Sequence, residues 1–82
     1  MLAAIDIGTN SVRLYMARRH GGSLIRIGQE LRITRLGRSV DASGYLQQES
    51  MDRTITALRE YRSILESRGS SWTLRVMATS AV

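Results

Sequence analysis

The sequence predicts a mixed α/β fold whose elements follow the order β-β-β-α-β. Three apolar or alternating segments precede one helix-length segment, and a further apolar segment follows it. Two strands that are joined through a helix usually pair in parallel, by a right-handed crossover. Because short turns join the first three strands, we expect an antiparallel meander. Its first strand is expected to be central and parallel to strand four.

The first predicted strand spans residues 2–7, and its apolar run is interrupted by one carboxylate, Asp6. A nearly continuous apolar run is typical of a strand that is covered on both faces, and a charge inside it is costly without a partner. The turn that follows is rich in short hydrogen-bonding groups, namely Gly8, Thr9, Asn10 and Ser11. Such a turn can present donors to a phosphate, and the carboxylate can hold Mg²⁺, often through water. An ordinary hairpin turn closed by its own side chains is an equally open interpretation.

The second and third predicted strands form a hairpin. Strand two alternates, so that one side carries Val12, Leu14 and Met16 and the other side carries Ser11, Arg13 and Tyr15. Arg13 is therefore close to the turn and is the natural charge partner for a bound anion. Pairing with Asp6 itself and simple exposure are the alternatives. A glycine pair at residues 21–22 predicts the hairpin turn, and strand three spans residues 24–33 with a bulge expected near Gly28.

Residues 34–45 are rich in glycine and serine and are predicted to form a loop. A helical period begins after this loop. The helix is predicted from about Gln47 to Arg68, with Gly69 as its C-terminal stop. Its apolar stripe consists of Met51, Ile55, Leu58, Tyr61 and Leu65, flanked by Ala57 and Ile64. Glu49 and Arg53 have the favourable i,i+4 order. We interpret Arg35 and Arg38 in the loop as solvated charges, with a basic rim as the alternative.

Strand four is predicted at residues 72–77 and is expected to be buried. It runs into two hydroxyl-bearing residues, Thr79 and Ser80. In open α/β sheets, ligands bind outside the carboxyl ends of parallel strands. We therefore expect these two residues to face the turn after strand one, although plain packing of small residues would also explain them.

All twelve basic residues are arginine, and the seven acidic residues leave a formal net charge of +5. Arginine suits phosphate recognition, but genome composition is the better explanation for most of these residues. The absence of cysteine excludes a disulfide framework and a thiolate metal site. The N-terminus does not resemble a signal peptide, and no segment has the length that a bilayer requires. We expect a soluble cytoplasmic protein without a membrane partner.

Two features suggest a piece of a longer protein. The sequence ends in an apolar strand and a small-residue turn, without a polar tail. One helix also covers only one face of a four-stranded sheet, and soluble monomers rarely expose the apolar face that would remain. A complete small domain and a dimer of the chain are the alternatives.

Several segments together resemble the N-terminal part of the exopolyphosphatase / guanosine pentaphosphate phosphohydrolase family. In order, they are Asp6–Leu14, Arg35-Leu36-Gly37, Asp41–Gly44, an Ala-Leu-Arg-Glu-Tyr helix and Ala78–Ala81. That family belongs to the actin-like, sugar-kinase and heat-shock ATPase superfamily. The resemblance therefore implies that residues 1–82 are part of the first ribonuclease H-like domain of a two-domain cleft.

The resemblance also implies an activity, namely Mg²⁺-dependent hydrolysis of a phosphoanhydride in polyphosphate or in guanosine pentaphosphate (pppGpp). Carried over, Asp6 would face the metal, and Arg13 would bind substrate phosphate. The first phosphate loop would be Gly8, Thr9, Asn10 and Ser11, while Thr79 and Ser80 would line the cleft. The family's catalytic glutamate, its second glycine-rich loop and a further arginine would follow Val82. This chain alone is therefore expected to be inactive, and the full protein is expected to be a homodimer.

Two other functions fit parts of the sequence. A sugar kinase or an actin-like ATPase also uses an Asp-x-Gly-Thr turn, but the continuation through Asn10 to Arg13 and the later segments argue against it. A small basic nucleic-acid-binding domain would need clustered arginines and exposed aromatic residues. The arginines are dispersed and phenylalanine is absent, so we expect no specific binding of nucleic acid.

Overall fold

A computed structural model of the chain describes residues 1–36, 48–69 and 71–78. These residues form four strands and one long helix: β1 (Leu2–Ile7), β2 (Ser11–His20), β3 (Ser23–Ile33), α1 (Gln48–Arg68) and β4 (Thr73–Ala78). The predicted order of elements is confirmed. Most of the predicted loop, including Arg38, lies outside the described residues.

The strands form a single sheet in the order β3-β2-β1-β4. β1 pairs with β2 in antiparallel fashion and with β4 in parallel. The sequence therefore predicted both the interior position of β1 and its parallel partner. The parallel pairing follows from the crossover through α1, which returns the chain to the same end of the sheet.

The β2–β3 hairpin has the predicted turn and bulge. Gly21 adopts a φ of 64°, in the left-handed region that glycine enters at little cost. The register changes from Met16 opposite Gly28 to Ala17 opposite Arg26, which leaves one extra residue in β3. A Cβ on Gly28 would approach the Cε atom of Met16 to 2.6 Å, so glycine makes room for a buried methionine at the bulge.

The core lies between α1 and one face of the sheet. It consists of alternate residues of β1 and β2 together with two helix residues, namely Ala3, Ile5, Val12, Leu14, Met16, Tyr61 and Leu65. This confirms the alternation predicted for β2. The opposite face carries no helix among the described residues. Within those residues, no helix combines the length and the apolar character needed to cross a membrane.

The buried stripe of α1 differs from the prediction in its first half. Tyr61 and Leu65 are buried as expected, but Ile55 is 46% exposed. The buried positions of the helix are Ser50, Thr54, Ala57, Tyr61 and Leu65. Ser50 donates to the Arg35 carbonyl after β3, and Thr54 donates from Oγ1 to the Ser50 carbonyl of the preceding helical turn at 2.9 Å. Both buried hydroxyls therefore have acceptors, and the buried stripe is shifted toward serine and threonine in this half of the helix.

The prediction that β4 is buried was wrong for this chain. Every residue of β4 is exposed, and Val76 retains 54% of its accessible surface. β4 is an edge strand, and α1 lies over β1 and β2 instead. An open groove of about 710 Å³ remains between the helix and the edge, with apolar walls formed by Ile5, Leu58, Leu65, Trp72, Leu74 and Val76. Trp72 lines this groove and donates from Nε1 to the Leu65 carbonyl at 2.8 Å.

Candidate functional site

Asp6 and Arg13 lie opposite each other on neighbouring strands, at the end of the sheet where the first turn joins them. They are direct partners in the antiparallel register of β1 and β2. Directly opposed residues project to the same face, with Cβ atoms about 4.5–5.5 Å apart. Because Ile5 and Leu14 face the helix, Asp6 and Arg13 face the open side. Asp6 is half-buried and Arg13 is exposed.

The turn between these strands is closed by its own backbone. The Gly8 amide donates to the Ser11 carbonyl at 2.9 Å, so Thr9 and Asn10 form the tip. The Gly8 amide is thus engaged inside the turn, so the prediction that it donates to a phosphate would have to be met by other groups of the turn. Glycine at this position lets the turn close tightly, because a Cβ there would lie 3.2 Å from the Ser11 carbonyl oxygen.

The segment after β3 holds the turn from one side. The Asn10 carbonyl accepts hydrogen bonds from the amides of Thr34 and Arg35, each at 3.0 Å. Arg35 has a φ of 55°, a left-handed conformation that is uncommon for residues other than glycine. The hydrophobic pattern did not predict that this segment lies against the turn. The Arg-Leu-Gly motif that begins at Arg35 was the only signal in the sequence that pointed to it.

The first turns of α1 hold that segment in place. Arg53 donates from Nε to the Thr34 carbonyl at 3.0 Å and from Nη2 to the Ser50 hydroxyl at 3.0 Å. Ser50 in turn donates to the Arg35 carbonyl at 3.4 Å. The predicted pair between Glu49 and Arg53 is present, with Oε1 and Nη1 3.2 Å apart. The contacts of Arg53 and Ser50 with the segment were missed, because a hydrophobic pattern carries no information about them.

The end of β4 lies at the same edge of the sheet. Ala78, the last described residue of this strand, pairs with Ile7 in the parallel register. The predicted site residues Thr79 and Ser80 follow it and lie outside the described residues. The strand that leads to them ends level with the turn, and their placement stays a prediction.

Among the described residues, the corner beside the first turn contains one carboxylate, that of Asp6. No group of three or more His, Cys, Asp or Glu side chains suited to a metal occurs within the described ranges. Mg²⁺ is commonly held by one or two carboxylates together with substrate phosphates and water. Asp6 therefore fits a cation that is shared with a bound phosphate, and it does not fit a metal site built by protein groups alone.

A separate ionic cluster lies on the helix side of the sheet. Arg32 pairs with Glu60 at 2.9 Å and with Glu30 at 3.1 Å, and its guanidinium lies 5.5 Å from the ring centre of Tyr61. The hydrogen bonds that Arg32 donates to Glu60 and Glu30 raise the pKa of Arg32. This cluster joins β3 to α1 and does not face the corner of Asp6 and Arg13.

Comparison of the chain with known proteins finds similar sequences and similar structures in one family. Residues 15–82 match the Ppx/GppA phosphatase family. Exopolyphosphatase 2 of Mycobacterium tuberculosis is 43% identical over 84 residues, covering 98% of this chain and 26% of that protein. A bifunctional 3-dehydroquinate synthase/phosphatase of Fusobacterium nucleatum is 36% identical over 69 residues, covering 78% of this chain and 10% of that protein.

Solved structures agree with this assignment. The crystal structure of the Aquifex aeolicus member of the Ppx/GppA family matches with a TM-score of 0.90 and 38% identity, covering 98% of this chain and 26% of its own. An exopolyphosphatase from Cytophaga hutchinsonii matches with a TM-score of 0.87 and 26% identity, covering 98% and 25%. The chain spans about a quarter of the length of the exopolyphosphatase relative, at 26%. Its sequence and its fold show that this chain belongs to the Ppx/GppA phosphatase family.

Proposed function

We propose that the protein containing this chain hydrolyses phosphoanhydride bonds in polyphosphate, in pppGpp or in both. In this proposal, the chain supplies the first half of the phosphate-binding site. Family membership supports the reaction class, since a relative at 43% identity is an exopolyphosphatase. The observation that carries the assignment of the site is the strand register, which places Asp6 directly opposite Arg13 beside the turn at residues 8–11.

Arg13 is the proposed anchor for a substrate phosphate. Its side chain is exposed on the open face of the sheet, one strand away from the only carboxylate that the described strands place there. A guanidinium forms charge-assisted, often bidentate hydrogen bonds with phosphate oxygens. Thr9, Asn10 and Ser11 of the turn would add short donors, and Thr79 and Ser80 would add hydroxyls from the end of β4. Gly8 would keep the approach to the backbone open.

Asp6 is the proposed contact for Mg²⁺. It would hold the cation directly or through water, together with a phosphate of the substrate. The bound cation would neutralise charge on the phosphoryl oxygens. The role of the chain itself is then to place a negative charge and a positive charge side by side, so that a cation and a phosphate can be bound together.

The group that positions the attacking water is proposed to come from another part of the protein. Asp6 already has the cation-binding role, and the other carboxylate in the described strands, Glu30, bonds to Arg32 on the helix side. Phosphoryl transfer depends mainly on positioning and on electrostatic stabilisation. A half-site with donors and a cation contact, but without a base, binds phosphate without hydrolysing it. The isolated chain is therefore expected to be inactive.

Phosphate release by the full-length protein tests this function. Long-chain polyphosphate and pppGpp would be offered separately with Mg²⁺, and ATP with a panel of sugars would be the counter-assay. We expect inorganic phosphate from polyphosphate, pppGpp or both, with loss of activity on chelation of Mg²⁺. Failure to release phosphate from either substrate, or transfer of phosphate from ATP to a sugar, would contradict the proposal.

A further inference from the structure

We propose that Arg53 is a positioning residue for the phosphate-binding turn and acts on it through the backbone of Thr34 and Arg35. This role rests on the proposed function, because it assumes that residues 8–11 contact phosphate. Arg53 lies on α1 and does not belong to the turn or to the strands beside it. Three links connect it to the tip of the turn.

The first link joins the turn to the segment after β3. The carbonyl of Asn10 accepts two amide hydrogen bonds, from Thr34 and from Arg35, at 3.0 Å each. Asn10 is at the tip of a turn that is closed by a single backbone bond between Gly8 and Ser11. The position of the tip therefore follows the position of residues 34–35.

The second link is the conformation of that segment. Arg35 adopts a φ of 55°, and a residue with a Cβ pays energy to remain there. Such a conformation persists when the surrounding contacts over-determine it, and it is frequent near ligand-binding sites. The amides of Thr34 and Arg35 already point at Asn10, so the restraint on their carbonyls must come from another element.

The third link is the contact of α1 with both carbonyls. Arg53 Nε donates to the Thr34 carbonyl, and Ser50 Oγ, which itself accepts from Arg53 Nη2, donates to the Arg35 carbonyl. The remaining edge of the guanidinium pairs with Glu49. The planar, forked guanidinium of Arg53 thus contacts a carbonyl, a hydroxyl and a carboxylate at once. The single ammonium group of lysine cannot reproduce this set of contacts. Thr34 and Arg35 are consequently held through their amides by the turn and through their carbonyls by the helix.

Loss of the fork would displace the turn without removing any group that contacts phosphate. A displacement of about 1 Å in a substrate-positioning group can cost roughly 100-fold in rate. We therefore expect Arg53→Met to lower kcat/KM for phosphate release by about 10- to 100-fold, with most of the loss in kcat. Arg62→Met is the matched control, because Arg62 lies on the same helix and also forms an i,i+4 pair, with Glu66 at 2.8 Å, but is 82% exposed.

The experiment measures three quantities in the full-length protein, for Arg53→Met, Arg53→Lys and Arg62→Met. They are kcat and KM for polyphosphate or pppGpp, the urea midpoint, and hydrogen exchange of the Thr34 and Arg35 amides. In Arg53→Met we expect those two amides to exchange at least about tenfold faster, beyond any uniform change in β2. Arg53→Lys should recover only a minor part of the lost kcat. Arg62→Met should leave all three quantities unchanged.

Three results would overturn the role of Arg53. One is equal behaviour of Arg53→Met and Arg62→Met. Another is a general loss of stability in which exchange rises uniformly along β2 and kcat follows the folded fraction. The third is full rescue by lysine, which would show that charge rather than the fork is needed. If the wild-type protein released no phosphate, the proposed function would fail, whereas hydrogen exchange would still report whether Arg53 fixes residues 34–35.

Discussion

The hydroxyl of Tyr61 donates a hydrogen bond to the backbone carbonyl of Val12. Tyr61 lies in the middle of α1 and is fully buried, while Val12 is the second residue of β2 and pairs with Ile7. The bond therefore ties the helix to the strand directly behind the turn. Together with the contacts of Arg53, it fixes the candidate phosphate site to α1 at two separate points.

The first prediction concerns this bond. Tyr61→Phe should lower the free energy of unfolding by about 0.5–1.5 kcal/mol, because it removes one buried hydrogen bond to the Val12 carbonyl. Urea denaturation measures the effect. Tyr15→Phe is the control, since Tyr15 lies on the opposite face and its hydroxyl has no hydrogen bond among the described residues. Equal midpoints for the two variants would show that the bond contributes nothing.

The second prediction is a pH dependence at the same residue. Burial raises the pKa of Tyr61 above its ordinary value of 10.0. The folded state then holds its proton more tightly than the unfolded state does, so the contribution of Tyr61 to stability is complete below pH 10 and is lost as the pH rises through the folded pKa. Urea midpoints measured between pH 8 and pH 11, in the wild type and in Tyr61→Phe, test this. The difference in urea midpoint between the wild type and Tyr61→Phe should shrink at alkaline pH. A difference that stays constant from pH 8 to pH 11 would contradict this pH dependence.

Much of the sheet could be predicted because its signals are local. The alternation of Val12, Leu14 and Met16 defined a face, and Gly28 marked the bulge. The crossover rule then gave the parallel pairing of β1 and β4. Each of these inferences uses backbone geometry that depends little on the rest of the protein.

The polar contacts behind the site could not be predicted in the same way. Ser50 and Thr54 are buried where the pattern favoured Met51 and Ile55, and their hydroxyls donate to the carbonyls of Arg35 and Ser50, respectively. Hydrophobic periodicity identifies apolar partners only. The hydrogen bond of the Gly8 amide inside the turn could not be predicted either, because the sequence does not show whether a backbone amide already has an acceptor.

The third prediction concerns Asp6 and Mg²⁺. Asp6→Asn keeps the size of the side chain and removes its charge. It should raise the Mg²⁺ concentration for half-maximal phosphate release by roughly 10- to 100-fold, the range that follows loss of a supporting group at a metal. A Mg²⁺ titration of phosphate release measures this effect. Glu30→Gln is the control, because Glu30 is bonded to Arg32 on the helix side. The same Mg²⁺ requirement in the two variants would exclude Asp6 from the metal site.

The fourth prediction concerns the groove beside β4. The edge strand exposes Leu74 and Val76 next to an apolar groove, and exposed apolar edges promote association. A polypeptide of residues 1–82 alone should therefore self-associate, and Val76→Arg should shift it toward the monomer. Light scattering coupled to size exclusion measures the mass. Ile55→Arg is the control, since Ile55 is exposed but does not line the groove. A monomer at all concentrations would contradict the expectation.

The most direct test of the phosphate-binding corner is the effect of Arg13→Ala on kcat/KM for phosphate release by the full-length protein. Arg13 is exposed, so its removal should leave the urea midpoint unchanged while kcat/KM for polyphosphate or pppGpp falls on the order of 100-fold or more, as for loss of one preorganised donor. Arg62→Ala, an exposed arginine of α1, should retain full activity. An Arg13→Ala protein whose kcat/KM equals that of Arg62→Ala would contradict the assignment of this corner to phosphate.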